Sequence, residues 1–249
     1  MGGAGDFLAA PWLAPGNVLA GTTLRTKGLS RKPFATNNMG LHVGDNATYV
    51  ANNRLQLASS IGKDQNWQWL EQTHSVDVVR VEEAGPALEA DAIYTSVPNI
   101  MCCVMSADCL PVFITNQEGS EVAIAHCGWR GLAGGVLDNT LAEFKSQPDQ
   151  LLVYLGPAIG PCHFEVGEDV KAAFSVSMPK ATVDTLFAPK GHDKYLADIY
   201  GLAKAKLHEL GVSNHFGGEA CTVCDSERFF SFRRDGVTGR MANFICLTS

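Results

Sequence analysis

Apolar and polar positions along this 249-residue chain follow two different periods. Over residues 47–62, Val50, Leu55, Leu57 and Ile61 recur towards one side, which predicts a helix. Residues 67–71, 76–81, 92–95 and 101–105 are short apolar runs predicted as strands. Residues 121–126 predict a strand ending on a histidine, and 151–155 a buried strand closed by Gly156-Pro157. Further helices are predicted over 136–145, 166–174 and 195–210, the last with Gly211 as its C-cap. Residues 229–234 and 240–247 flank Asp235-Gly236, the pattern of a hairpin. Strands and helices alternate without a strict βαβ rhythm, so the pattern predicts a mixed sheet with helices packed outside it. With no internal repeat or long linker, the expectation is a single domain over 1–249, its body at about 18–249 behind an N-terminal extension, 1–17.

Composition narrows the class. Hydrophobic residues make up 46% of the chain and charged residues 18%, enough for a sizeable core and too little charge for a disordered chain. The net charge of −7 and the absence of a Lys/Arg run argue against a nucleic-acid partner. The longest weakly charged stretch, 96–107, is short and carries Pro98 and Asn99, so no membrane span is expected. Residues 1–13 lack the basic start of a signal peptide. The eight cysteines are irregularly spaced, and adjacent Cys102 and Cys103 read as small buried hydrophobes. Reduced thiols and a cytoplasmic location are the expectation.

Three segments carry chemistry. His74 stands in Gln72-Thr-His-Ser75 after a strand, Cys109 in Ala107-Asp-Cys-Leu-Pro111, and His126 opens His126-Cys-Gly-Trp-Arg-Gly131. All three fall at strand ends, where sites are assembled. Two imidazoles and a thiolate suit Zn²⁺ with a fourth position open for water or substrate, and the same set suits Cu²⁺. Two other readings stand beside this one: satisfied histidines with a buried thiol, and a Cys109–His126 nucleophile and base. Asp108, beside Cys109, is a candidate to orient a ligand or move a proton.

Residues 126–135 predict a glycine-rich loop running into the helix 136–145, where Arg130 would clamp phosphate. His42, in a polar, glycine-rich loop, is a candidate pocket residue. Cys221-Thr-Val-Cys224 has the spacing of half a zinc knuckle or a redox pair, but with no second CxxC a structural role is expected. His163, His192, His208 and His215 lack motif context and read as surface residues.

Taken together, QTHS, ADCLP and HCGWRG, followed by GPAIG at 156–160 and FFSFRRDGVTGR at 229–240, resemble the YfiH or laccase-domain family, once labelled multicopper polyphenol oxidase. The resemblance runs from about Thr22 to the C-terminus. It implies a layered α/β/β/α fold related to putative cysteine hydrolases. It implies a metal, usually zinc, at the residues matching His74, Cys109 and His126. It also implies phosphorolysis of adenosine, inosine and methylthioadenosine, with adenosine deamination. Family members are further linked to copper-dependent phenol oxidation and to peptidoglycan editing. The chain departs from the pattern at Lys27, where the family has glycine, at Ser75 after the first histidine, and at Cys127 after the third ligand position.

The leading expectation is therefore a zinc-dependent purine nucleoside phosphorylase and deaminase, with Asn38, His42, Arg54 and Arg240 as candidate substrate-pocket residues. A laccase-like copper oxidase is opposed by a total of seven histidines with no His-x-His pair. A Cys109–His126 amide hydrolase is the other alternative.

Overall fold

Two mixed sheets stack face to face, with helices on both outer sides. The computed structural model describes residues 7–61 and 66–249. The first sheet has the order Phe7–Ala9, Val18–Thr23, Met241–Leu247, Ile100–Ser106, Asn66–Gln68. The second has the order His215–Gly217, Leu151–Leu155, Leu110–Asn116, Val122–Cys127, Ala92–Thr95, Val78–Arg80. Pairing is antiparallel except at one edge of the first sheet and both edges of the second. Among the described residues no helix is long and apolar enough to cross a membrane.

Strand parity sorts the buried side chains into layers, because successive residues point to opposite faces. Ile100, Cys102 and Val104 face inward and pack with Ile93, Phe113, Val122 and Ile124 of the second sheet. Met101 and Cys103 face outward, against Leu57 of the helix Ala47–Ile61. On the second sheet, Val112, Ile114, Ala123 and Ala125 turn outward under helices that contribute Leu132, Val136, Phe174 and Leu202. The result is the α/β/β/α layering expected from the resemblance. Adjacent Cys102 and Cys103 are both buried, one on each face of the same strand.

Several predicted elements are corrected. The run 67–71 is two strands, Asn66–Gln68 and Leu70–Glu71, in different sheets. The buried Gln68 amide bonds Trp69 O and Pro86 O and breaks the ladder there. The helix predicted over 166–174 begins at Glu168, because Val166 is paired with Tyr195 in a small sheet. The helix predicted over 195–210 begins at Ile199, where Asp198 caps it by accepting from Gly201 N. The helix predicted over 136–145 ends at Ala142. In the helix Ala47–Ile61 the inward residues are Val50, Asn53 and Leu57, a truer helical spacing, while Leu55 is 64% exposed. Gly62 of that prediction lies outside the described residues.

The predicted C-terminal hairpin does not form. The turn signal is present, with Gly236 at φ 67°, but it ends a one-turn helix, Phe232–Asp235, capped by Ser231. Met241–Leu247 instead fills the centre of the first sheet, between Val18–Thr23 and Ile100–Ser106. Of the predicted extension 1–17, residues 1–6 lie outside the described residues, and Phe7–Ala9 forms an edge strand.

A buried carboxylate pins the far end of the second sheet. Glu121 accepts hydrogen bonds from Tyr94 Oη at 2.6 Å, Lys145 N at 2.9 Å, Ser146 Oγ at 2.7 Å and Asn116 Nδ2 at 3.2 Å. Burial pushes its pKa up, but these donors outweigh burial and hold it below the ordinary glutamate value. Its stabilisation is therefore complete above about pH 4.3, the unfolded-chain value, and is lost as pH falls through the lower folded one. Glu121→Gln is expected to lower stability by about 3 kcal/mol at pH 7, since a neutral amide faces several donors. Urea titrations should show that gap narrowing as pH falls below 4; a gap independent of pH would contradict the assignment.

Candidate active site

The chain passes from the first sheet to the second between Ser106 and Leu110, and Cys109 lies on that crossing. His126 shares the parity of Val122 and Ile124, so its ring points into the seam between the sheets. His74 lies on the turn after Leu70–Glu71, at φ 60°. The three come together: Cys109 Sγ lies 3.9 Å from His74 Nε2, and the donor atoms of His74, Cys109 and His126 all fall within 4.8 Å of one another. A side chain at Gly128 would meet His74 Cδ2 at 2.8 Å, so glycine there lets the imidazole approach.

Asp91, fully buried at the head of the strand Ala92–Thr95, ties these pieces together. Its Oδ1 lies 2.8 Å from His126 Nδ1. Its Oδ2 accepts from Thr73 N at 3.1 Å, Ser75 N at 2.7 Å and Ser75 Oγ at 3.0 Å. His74 is thus bracketed on both sides by bonds to the acid that holds His126. Burial raises the Asp91 carboxyl, but the His126 contact and the Ser75 donors outweigh it and hold it down to about 2. With Nδ1 engaged, His126 presents Nε2 to Cys109, the arrangement of carboxylate-backed histidine ligands. Burial raises the Cys109 thiol, yet His126 and His74 lower it further, so the thiolate form is favoured. Two imidazoles, a thiolate and an unfilled fourth direction fit a catalytic divalent cation of the zinc class.

The triad opens on a cavity of about 870 Å³. Its lining includes Leu41, Trp69 and Phe232 together with His42, Arg54, Arg130, Arg233 and Arg240, of which Arg130 and Arg233 are exposed and Arg54 and Arg240 partly buried. The Arg54 guanidinium stacks on Trp69 at 3.7 Å while donating to Met39 O. Burial, then the charges of Arg240 and Arg54, lower the basicity of His42. Of the predicted pocket residues, His42, Arg54, Arg130 and Arg240 therefore line the cavity.

One expected pocket residue lies elsewhere. Asn38 is fully buried and does not line the cavity. Its amide bonds Gly40 O, Asp45 Oδ2, Gly40 N and Arg240 N, so it shapes the loop that carries His42. Asp108 reaches the cavity wall, but Thr222 Oγ1 and Arg233 N each donate to one of its oxygens at 2.6 Å. It braces the turn at φ 98° that presents Cys109. The predicted glycine-rich loop after His126 is instead a short helix, Trp129–Gly134, with Arg130 in its first turn and stacked on Trp129.

Residues 19–248 match the family model described as multi-copper polyphenol oxidoreductase laccase. The chain belongs to that family. It is 46% identical to a protein of Haemophilus influenzae named purine nucleoside phosphorylase, over 94% of this chain and 96% of the relative. It is also 46% identical to Escherichia coli purine nucleoside phosphorylase YfiH, over 97% and 98%. The crystal structure of Neisseria meningitidis protein NMB0706 superposes with a TM-score of 0.94, at 46% identity over 98% of this chain and 100% of that one.

The departures from the family pattern have structural readings. Lys27 adopts φ 67°, the left-handed backbone a glycine takes without strain. Ser75 supplies two of the donors to Asp91, and Cys127 packs in the core under the helices.

Sequence reasoning missed Asp91. The one available signal is an acid placed directly before the apolar run Ala92–Thr95, where no charge belongs without a partner. Asp91→Asn is expected to weaken metal binding at the triad by about 10- to 100-fold. Competition with a chromophoric chelator measures this; unchanged affinity would show that Asp91 does not orient His126.

Proposed function

We propose that this chain is a metal-dependent purine nucleoside phosphorylase, with His74, Cys109 and His126 holding the metal, zinc by donor type. The observation that carries the reading is one cavity whose lining combines a three-donor set, several guanidinium groups and aromatic side chains. The names of the 46% identical relatives support it. A bound ion, held by His74, Cys109 and His126, would supply a Lewis-acid centre in the cavity.

The chain's own residues supply binding and orientation. Arg130 and Arg240 attract phosphate to the cavity. Phe232 and Leu41, each more than half exposed, offer apolar surface to a purine, while Trp69 stacks on Trp67 and carries Arg54 over its ring. In phosphorolysis a phosphate oxygen bonds the sugar's anomeric carbon while the glycosidic nitrogen departs with the bonding electrons and takes up a proton. Cationic groups in the cavity favour that geometry because they hold the anion against the sugar. Adenosine deamination at the same open position belongs to this reading.

The oxidase implied by the family's description finds fewer donors. Among the described residues, His42, His192, His208 and His215 belong to neither group of clustered metal-ligating side chains, and a coupled copper cluster needs many histidines. A second reading has a specific observation behind it: Cys109, His126 and Asp91 also have the order of nucleophile, base and orienting carboxylate, as in a metal-free amide hydrolase.

Metal-replete protein is expected to release free base from inosine and adenosine only when phosphate is present. Cys109→Ala should lower the rate by about a hundredfold or more. Arg130→Ala should raise KM for phosphate about tenfold, a loss of about 1.4 kcal/mol, with a smaller effect on kcat. No base release at any phosphate concentration would overturn the proposal. Amide hydrolysis surviving chelation would establish the second reading.

A further inference from the structure

Outside the active-site cavity, four metal-ligating side chains converge that the proposed reaction does not use. Cys162 Sγ lies 3.0 Å from His163 Nδ1, 3.9 Å from Cys221 Sγ and 3.6 Å from Cys224 Sγ. His163 Nδ1 lies 3.8 Å from Cys221 Sγ and 3.4 Å from Cys224 Sγ. A tetrahedral zinc with ordinary bond lengths would set sulfurs about 3.8 Å apart and sulfur–nitrogen pairs about 3.5 Å apart. The observed separations scatter around both values. None of these cysteines is in a disulfide.

The backbone is built for this convergence. Cys162 and His163 leave the turn that begins at Gly160, closed by His163 N and Phe164 N donating to Gly160 O. Cys221 and Cys224 span a second turn, closed by Asp225 N donating to Cys221 O. The two turns are joined by the bridge between Ala158 and Cys221. Gly160 N donates to Cys221 Sγ at 3.2 Å, a bond that favours a thiolate. A side chain at Gly160 would sit 3.1 Å from Cys221 Cβ, so glycine keeps the turns in contact.

We propose that Cys162, His163, Cys221 and Cys224 form a second metal site, structural in role and suited to zinc. Four protein donors close a tetrahedral shell, which leaves no position for substrate and separates this site in kind from the three-donor triad. Its three thiolates select a thiophilic ion over magnesium or calcium. The site staples segments 59 residues apart, Cys162 to Cys221. Both segments also reach Asp108: Thr222 donates to its carboxylate, and the His163 carbonyl receives Arg233, whose backbone N–H bonds the same carboxylate. The second ion therefore braces the turn that presents Cys109.

The test is metal stoichiometry in protein kept reduced, stripped, and reloaded with Zn²⁺. Wild type is expected to hold two ions per chain by elemental analysis. Cys109→Ala and the double variant Cys162→Ser/Cys224→Ser should each hold one, and the double variant should melt at a lower temperature. Co²⁺ loading of the wild type, which needs no folded variant, should give the intense charge-transfer absorption of a three-thiolate tetrahedral site. One ion per chain in the wild type, unchanged in the double variant, would overturn the proposal. So would Co²⁺ spectra without three-thiolate intensity, or a disulfide among these cysteines in reduced, zinc-equilibrated protein. The stoichiometry is independent of any nucleoside activity, so it can hold or fail without bearing on the proposed reaction.

Discussion

The placement of both histidines of the triad hangs on the buried carboxylate of Asp91. A charge taken out of water costs several kcal/mol unless it is met by donors. Asp91 is met by Thr73 and Ser75, which flank His74, and by His126, itself a candidate ligand. The acid's need for donors thus fixes the turn that carries His74 and the ring angle of His126 together. His74 sits at φ 60°, a backbone region that costs a non-glycine residue about 1 kcal/mol or more. Hydrogen bonds at Thr73 and Ser75, immediately before and after it, supply the constraint that holds it there.

The sandwich explains why the site lies at one end of the seam. Along the strand Val122–Cys127 the inward side chains, Val122 and Ile124, are apolar until the strand reaches His126. The connection between the sheets brings Cys109 to the same end, and Asp108, at φ 98°, makes the reversal. Thr222, Arg233 and the Ile159 N–H bonded to Asp108 O hold that reversal from the C-terminal side. An edge where two sheets part gives depth to a cavity while leaving it open to solvent, and the cationic side chains gather there.

The parts of this arrangement legible in the sequence are those that short segments encode. His74, Cys109 and His126 each follow an apolar run, so their placement at strand ends could be read locally. The layering followed from the resemblance, and the fully buried strands confirm it through the split of Cys102 and Cys103 between faces. What could not be read depends on partners far along the chain. Met241–Leu247 pairs with Val18–Thr23, more than two hundred residues away, and no local signal opposes a hairpin with its neighbour. Tyr195 carries helix-compatible neighbours, but its pairing with Val166 and the Asp198 cap keep it extended. His163 is exposed, as its surface reading has it, and Cys221 and Cys224 alone have the spacing of half a motif. The missing half is Cys162, beside that histidine, and only the parallel bridge at Ala158 brings the two turns together.

The two donor groups also bear on the tension between the family's description and the relatives' names. A phenol oxidase needs a route for several electrons, and so several redox ions in contact with histidine-rich donors. Here the triad has three donors and an open side, and the other group has three sulfurs and one nitrogen, suited to holding an ion rather than cycling it. A phenol would also gain little from Arg54, Arg130, Arg233 and Arg240 in one cavity. A flat purine with an anionic co-substrate uses both aromatic and guanidinium groups, which the lining interleaves, with Arg54 over Trp69 and Arg240 over Phe232. A nucleoside with phosphate has both features, which is why this lining favours nucleoside chemistry over oxidation.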